Sequence, residues 1–427
     1  MTTLQLPGHV GPVDAVVTVP GSKSVANRAL VCAALCPDGV SRVSNVPGGD
    51  DCVAMLAALE TSGCLAHDGG VRGGVFPGAA ERYEAGLAGT TSRFLAAAAS
   101  LSGGGVVVDG AEPLRRRPMS DLLGALRTLG VQVDELGEPG HLPVRVSGGG
   151  GVHGGEVHVR GDVSSQFISA LMLVAPRFVS GLTIIVDGNL VSAPYVRMTA
   201  EVMRSFGADV EVGDRRIRVS AGGYRATSCE VEPDFSSAAF PVMALAFVEG
   251  RVRVRKLALA RLQGDERLLD VARSMGLSVS VAGGDILVER TRGSRLSPVD
   301  LDLGDASDLV PAVAVACAAT EGTSVIRGVG FIRNKESDRI GALVDCLRRI
   351  GVDAREDGDG LTVTGGGRIG CAAAVPTHHD HRLAMAFSLP AAGGHSMVID
   401  DPGVVSKSWP SYFADMQGVL GPATTGN

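Results

Sequence analysis

The sequence predicts a two-lobed, pseudo-symmetric α/β protein with three repeats to a lobe. Three observations carry that expectation. An amphipathic helix, a glycine and a short alternating strand recur six times along the chain. A second series of helices, apolar on all sides, runs between them, each followed by a Gly-containing turn and a β-branched strand. The 427 residues include 59 glycines and only 4% aromatics, a composition of small aliphatics that suits α/β layers better than an aromatic-rich sandwich. At roughly 100–200 residues per domain, this length makes two or three domains.

The half-exposed series reads MLAALETSGC (55–64), LLGALRTLGVQVD (122–134), AEVMRSFGADVEV (200–212), LLDVARSMGLSVSV (268–281) and LVDCLRRIGVDARE (343–356), with YFADMQGVLG (412–421) as a truncated sixth copy. Its closing glycines stand at 63, 130, 207, 276, 351 and 421, spaced by 67, 77, 69, 75 and 70 residues. A glycine after the last apolar turn is the expected left-handed helix cap. The apolar series comprises RALVCAALCPDGVSRVSN, RFLAAAASLSGGGVVVDG, QFISALMLVAPRFVSGLTIIVDG, AAFPVMALAFVEGRVRVRK, LVPAVAVACAATEGTSVIRG and LAMAFSLPAAGGHSMVIDD. Helices without a polar face belong inside the fold. Six units of about 70 residues then form the pseudo-symmetric architecture.

Bulk chemistry narrows the class. A net charge of −7 argues against a nucleic-acid or anionic-membrane partner. Eight cysteines are scattered with no CxxC, the pattern of a reduced, cytosolic protein. The opening MTTLQLPGHVGPVDAVV has no basic residue before Lys23 and no long apolar core, so no signal peptide is expected. The longest apolar runs, such as LVPAVAVACAA at 309–319, fall short of the ~20 residues of a membrane span. A soluble, cytoplasmic protein is expected.

The polar motifs GSKSVANR, AGTTSR, GDVSSQ, PDFSS, GDASD and THHDHR each open one apolar helix. Helix N-termini expose unpaired N–H groups and attract anions. Ser, Thr and Asp at those places also serve as ordinary N-caps. Capping needs no cation, however, and Lys23, Arg28, Arg93 and Arg382 all follow closely, against the helix dipole. An external anion is the simplest reason. The chain holds only four lysines, and Lys23, Lys335 and Lys407 lie in these chemical stretches. Arginine cannot replace a lysine that acts as a compact point charge or passes a proton. GSKS resembles half of a P-loop, but Ser22 stands where GxxxxGK[ST] requires glycine, so an ATP cradle fits poorly. RRRP at 115–118, RNKESDR at 333–339 and SKSWP at 406–410 add further charge, each also readable as solvated surface. HHDH at 378–381 has no second ligand cluster of matching spacing, so no metal is expected.

Taken together and in order, PGSKSVANRAL, AGTTSRF, RRRP, VSSQF, SAPY, RNKESDR, DHRLAM and DPGVVSKSWP resemble the enolpyruvyl transferases over nearly the whole chain, specifically the branch whose acceptor is shikimate 3-phosphate. The resemblance implies an inside-out α/β barrel type of fold in two lobes around buried parallel helices. One lobe covers 21–231 and mainly binds shikimate 3-phosphate. The other combines 1–20 with 232–427 and carries catalytic carboxylates and cations for phosphoenolpyruvate. It implies transfer of the enolpyruvyl group from phosphoenolpyruvate to the 5-hydroxyl of shikimate 3-phosphate with release of phosphate, without a cofactor, by a monomer.

By the same resemblance, Lys23, Ser24, Arg28, Ser164, Ser165, Gln166, Ser192, Tyr195, Asp308 and Lys335 bind shikimate 3-phosphate. Lys23, Gly89, Arg93, Arg117, Gln166, Arg339, Arg382 and Lys407 bind phosphoenolpyruvate. Asp308 is assigned as base toward the 5-hydroxyl, and Glu336 handles the methyl proton with Lys23 assisting. The chain departs from common family residues at Leu87, Phe331 and Ser408-Trp409. The sister enzyme acting on UDP-N-acetylglucosamine is the nearest alternative. It usually carries a cysteine in the loop matching 109–118, and none is present here. A non-catalytic anion-binding relative would be expected to lose its carboxylates or lysines, and Asp308, Glu336, Lys23 and Lys407 all remain. Cations of the two lobes are expected to repel across an empty cleft, and anionic substrate to close it about Pro20 and Pro233.

Overall fold

A helix apolar on every side persists only where protein surrounds it, and this rule sorts the helices of the chain into two kinds. The structure is a computed structural model and describes residues 2–78, 80–148, 151–370 and 373–426. Eleven of its helices carry the repeat: α1 (Lys23–Ala34), α2 (Asp50–Thr61), α3 (Gly89–Ala99), α4 (Ser120–Thr128), α5 (Ser165–Val174), α6 (Ala193–Ser205), α7 (Phe235–Ala244), α8 (Leu268–Ser274), α9 (Val310–Cys317), α10 (Arg339–Arg349) and α11 (His381–Ser388). The odd-numbered ones are the apolar series and are buried along nearly their whole length. The even-numbered ones keep a polar face. The truncated sixth copy is two short turns, Tyr412–Asp415 and Gln417–Leu420. All six closing glycines adopt positive φ, from 73° at Gly63 to 99° at Gly276.

The chain divides into two compact units, Met1–Pro20 with Glu232–Asn427, and Gly21–Val231. Among the described residues, four sheets share one four-stranded design. A leading strand pairs in parallel with the strand after the buried helix, and an antiparallel pair extends the sheet. Arg82–Glu84 thus pairs with Val106–Asp109 across α3, followed by Val144–Ser147 and Gln132–Glu135. Gly155–Arg160 and Leu182–Asp187 do the same across α5, and Asp300–Asp302 and Gly322–Arg327 across α9. Parallel pairing demands a crossover, and the buried helix is that crossover.

Two leading strands have exchanged partners where the chain passes between units. Val13–Val17 precedes α1 yet pairs in parallel with Gly250–Val254, which follows α7. Ser228–Glu230 precedes α7 yet pairs in parallel with Val40–Ser44, which follows α1. In the last repeat, Val375 bridges Ile399 in parallel, while Thr3–Leu6 lies antiparallel between Met397–Asp400 and Thr424–Gly426. The N-terminal strand therefore completes the final repeat. The only tryptophan, Trp409, is buried in the discontinuous unit, edge-on to Tyr412 at 5.2 Å, and its Nε1 donates to Asp415 Oδ2 at 2.6 Å.

Candidate active site

In the contiguous unit, the polar residues gather at the starts of α1, α3, α5 and α6. Neither Ser22 before α1 nor Ala88 before α3 caps its helix with a side chain. Ser164 does cap α5, accepting from Gln166 N at 3.3 Å. Lys23 opens α1 and places Nζ 2.9 Å from Oδ2 of Asp51, a buried carboxylate in the first turn of α2. One turn on, Arg28 is 1% exposed. Its Nη1 donates to Ser24 O at 2.8 Å, its Nε to Thr199 Oγ1 at 2.7 Å and its Nη2 to Ser169 Oγ at 3.2 Å. The guanidinium carbon lies 5.2 Å from the Phe94 ring centre and 5.9 Å from that of Tyr195. Burial pushes the Arg28 pKa down to about 10.

Gly89 begins α3, and the lack of a side chain there has a clear use. A Cβ on Gly89 would lie 2.4 Å from Arg117 Nη1. Arg93, on the next turn, donates to Gly89 O at 3.2 Å, Ser92 Oγ at 3.1 Å and Pro118 O at 3.1 Å. Gln166 Nε2 reaches Thr90 Oγ1 at 3.2 Å, linking the start of α5 to that of α3. Ser192 precedes α6 with φ 54°, a left-handed conformation uncommon for serine, and its buried Oγ has no hydrogen-bond partner among the described residues. Ser165, next to Ser164 in sequence, is buried at the head of α5. The three arginines of RRRP part company. Arg115 Nη2 meets Asp109 Oδ2 at 2.6 Å, Arg116 meets Glu112 at 3.3 Å on the surface, and Arg117 alone approaches Gly89.

The discontinuous unit gathers its charges into one bonded network. Arg339, the first residue of α10, is 1% exposed. Its Nε donates to Asp380 Oδ2 at 2.7 Å, its Nη1 to Asp308 Oδ1 at 3.2 Å and its Nη2 to Glu336 Oε2 at 2.8 Å. Arg382 Nη2 meets Asp308 Oδ2 at 2.8 Å and Ser236 Oγ at 3.0 Å. Lys407 Nζ meets Glu336 Oε1 at 3.0 Å. Asp380 also caps α11, accepting from Arg382 N at 3.0 Å, and takes Ser337 Oγ at 3.2 Å. Burial alone would depress the Arg339 pKa, but Asp380, Glu336 and Asp308 together hold it well above its ordinary value. Lys335 Nζ lies 6.0 Å from the Phe331 ring centre. Asp308, Glu336, Arg339, Arg382 and Lys407, far apart in sequence, are thereby brought together. Carboxylates can exchange protons and cations can hold an anion, so one bonded cluster of both has the chemistry that a reaction on an anionic substrate needs.

A family model described as EPSP synthase (3-phosphoshikimate 1-carboxyvinyltransferase) matches residues 8–416. The chain belongs to the EPSP synthase family. Proteins named 3-phosphoshikimate 1-carboxyvinyltransferase are similar to it nearly end to end. That of Nostoc punctiforme is 38% identical over 423 residues, spanning 97% of this chain and 98% of the relative. That of Methanoculleus marisnigri is 37% identical over 419 residues, spanning 96% of this chain and 98% of the relative. The solved EPSP synthase from Acinetobacter baumannii superposes with a TM-score of 0.80 at 25% identity, covering all of both chains. Family membership decides between the shikimate branch and its UDP-N-acetylglucosamine sister in favour of the former.

The sequence gives no sign of several neighbours of these residues. Asp51, the partner of Lys23, lies in GGDD, which reads as an ordinary acidic helix start. Thr199 and Ser169, which hold Arg28, sit inside helices where hydroxyls carry no local signal. Asp380 lies in the HHDH motif but holds Arg339, with a cap as its second duty.

Proposed function

We propose that this chain joins the 5-hydroxyl oxygen of shikimate 3-phosphate to C2 of phosphoenolpyruvate. A proton is added to the methylene carbon to give a tetrahedral adduct. The adduct then loses phosphate as the C2–O bond breaks and the methyl group gives up a proton, leaving the enol ether. Lys23, Ser24, Arg28, Ser164, Ser165, Gln166, Ser192, Tyr195, Asp308 and Lys335 hold shikimate 3-phosphate. Lys23, Gly89, Arg93, Arg117, Gln166, Arg339, Arg382 and Lys407 receive phosphoenolpyruvate. Asp308 takes the hydroxyl proton, and Glu336 exchanges the methyl proton with help from Lys23.

The observation that supports this division is the network of Asp308, Glu336, Arg339, Arg382 and Lys407. Both carboxylates are bonded to the cations that await the anionic substrate. A phosphoenolpyruvate anion competes with Asp308 and Glu336 for those cations, and a carboxylate relieved of a cationic neighbour becomes the stronger base. Phosphate release measured with phosphoenolpyruvate plus either acceptor tests the reading. Turnover is expected with shikimate 3-phosphate and not with UDP-N-acetylglucosamine. The reverse pattern, or none with either, overturns it.

A further inference from the structure

Arg28 has no carboxylate within ion-pair distance among the described residues. Burying a cation away from water without a counter-charge is costly, and here the acceptors that offset the cost are neutral. Two of them form a pair. Thr199 Oγ1 and Ser169 Oγ are 2.8 Å apart and take Nε and Nη2, so two hydroxyls stand where a bidentate carboxylate would ordinarily sit. Thr199 is fully buried in the middle of α6, and its own hydroxyl lies 2.7 Å from Tyr195 O, one turn back. That contact fixes the Thr199 rotamer and leaves a lone pair aimed at Arg28. Three of the five guanidinium N–H donors are thereby engaged, and the positive charge is uncompensated.

We infer that Thr199, seconded by Ser169, is a positioning residue that holds Arg28 by neutral hydroxyls so that its full charge is kept for the anionic groups of shikimate 3-phosphate. A carboxylate at 199 would fix the guanidinium equally well but would spend its charge internally. The hydroxyl fixes geometry and leaves electrostatics to the ligand. The inference rests on the proposed role of Arg28 in binding that substrate.

The test compares Thr199→Val, Thr199→Ser, Ser169→Ala and Arg28→Ala in the full-length enzyme, with KM determined separately for each substrate. Thr199→Val keeps the shape and removes the acceptor. It is expected to raise KM for shikimate 3-phosphate about ten- to hundredfold, the range for one lost hydrogen bond to a charged group, with kcat and KM for phosphoenolpyruvate within about threefold. Thr199→Ser should restore the parent value within about threefold, and Ser169→Ala should show a smaller rise of the same selectivity. A folded Thr199→Val enzyme with unchanged KM for shikimate 3-phosphate, or with both KM values raised alike, overturns the inference. Should Thr199→Val not fold, Ser169→Ala decides by the same criterion. Arg28→Ala separates the two levels. If it leaves KM for shikimate 3-phosphate unchanged, the reading of Arg28 is at fault. If it raises KM while the Thr199 and Ser169 variants do not, the positioning inference alone falls.

Discussion

Arg28 and Arg339 are enclosed to the same degree, 1% exposed each, yet they are held by opposite means. Arg339 is ringed by Asp380, Asp308 and Glu336. Arg28 is ringed by two hydroxyls, a carbonyl and two aromatic rings. Their pKa values move in opposite directions accordingly, up for Arg339 and down for Arg28. The contrast teaches that burial alone does not set the behaviour of a cation. On the proposed function, the guanidinium among carboxylates serves proton transfer through the partners assigned as bases, and the guanidinium among neutral acceptors keeps its charge for the ligand.

The largest break in this contrast comes from taking a carboxylate out of the Arg339 ring. Glu336→Gln keeps the shape and removes the titrating group that Arg339 and Lys407 share. Turnover by phosphate release should fall about 10²–10⁴-fold, as for loss of a general acid–base group. A rate within about tenfold of the parent would remove Glu336 from proton transfer.

A third guanidinium sharpens the comparison, since Arg117 lies against Gly89 where no side chain stands. Gly89→Ala puts a methyl group 2.4 Å from Arg117 Nη1, and the flexible end of that side chain must swing away. Because misplacement by about 1 Å can cost up to 10²-fold, KM for phosphoenolpyruvate should rise by about tenfold or more, with stability little changed. An unaltered KM would show that Arg117 binds nothing where it now points.

The smallest effect is read in pH. Deprotonation of Arg28 removes the charge that an anion needs, so affinity for shikimate 3-phosphate should fall as pH rises toward about 10. Arg339, held above its ordinary value, keeps its charge over the same range. Titration calorimetry of shikimate 3-phosphate at increasing pH should show a steeper loss in the parent than in Arg28→Ala. Equal profiles would erase the distinction between the two sites.

How far the sequence revealed these features depended on their range. The six buried helices were legible because an apolar circumference is a local property, and the closing glycines because a helix end needs positive φ there. Lys23, Arg93 and Arg382 stood out as cations placed against a helix dipole. Strand partners were not legible. Val13–Val17 alternates like any edge strand, and nothing in it says that Gly250–Val254 is its neighbour. The same limit hid Thr199, which looks like an ordinary helical threonine until Arg28, 171 positions away, is folded against it. It also hid the separate fates of Arg115, Arg116 and Arg117, since identical neighbours in sequence face different partners in space.

The exchanged strands impose an order of assembly. The stretch from Gly21 to Val231 contains every strand that its own sheets use, so it has its full complement once residue 231 has emerged from the ribosome. Strands made earlier than this stretch meet their partners only after it is complete. Thr3–Leu6 waits for Met397–Asp400, and Val13–Val17 for Gly250–Val254. Domains fold as units during synthesis, at about 5–20 residues per second, so Thr3–Leu6 is left as an unpaired strand for about 20–80 seconds, until Met397–Asp400 arrives.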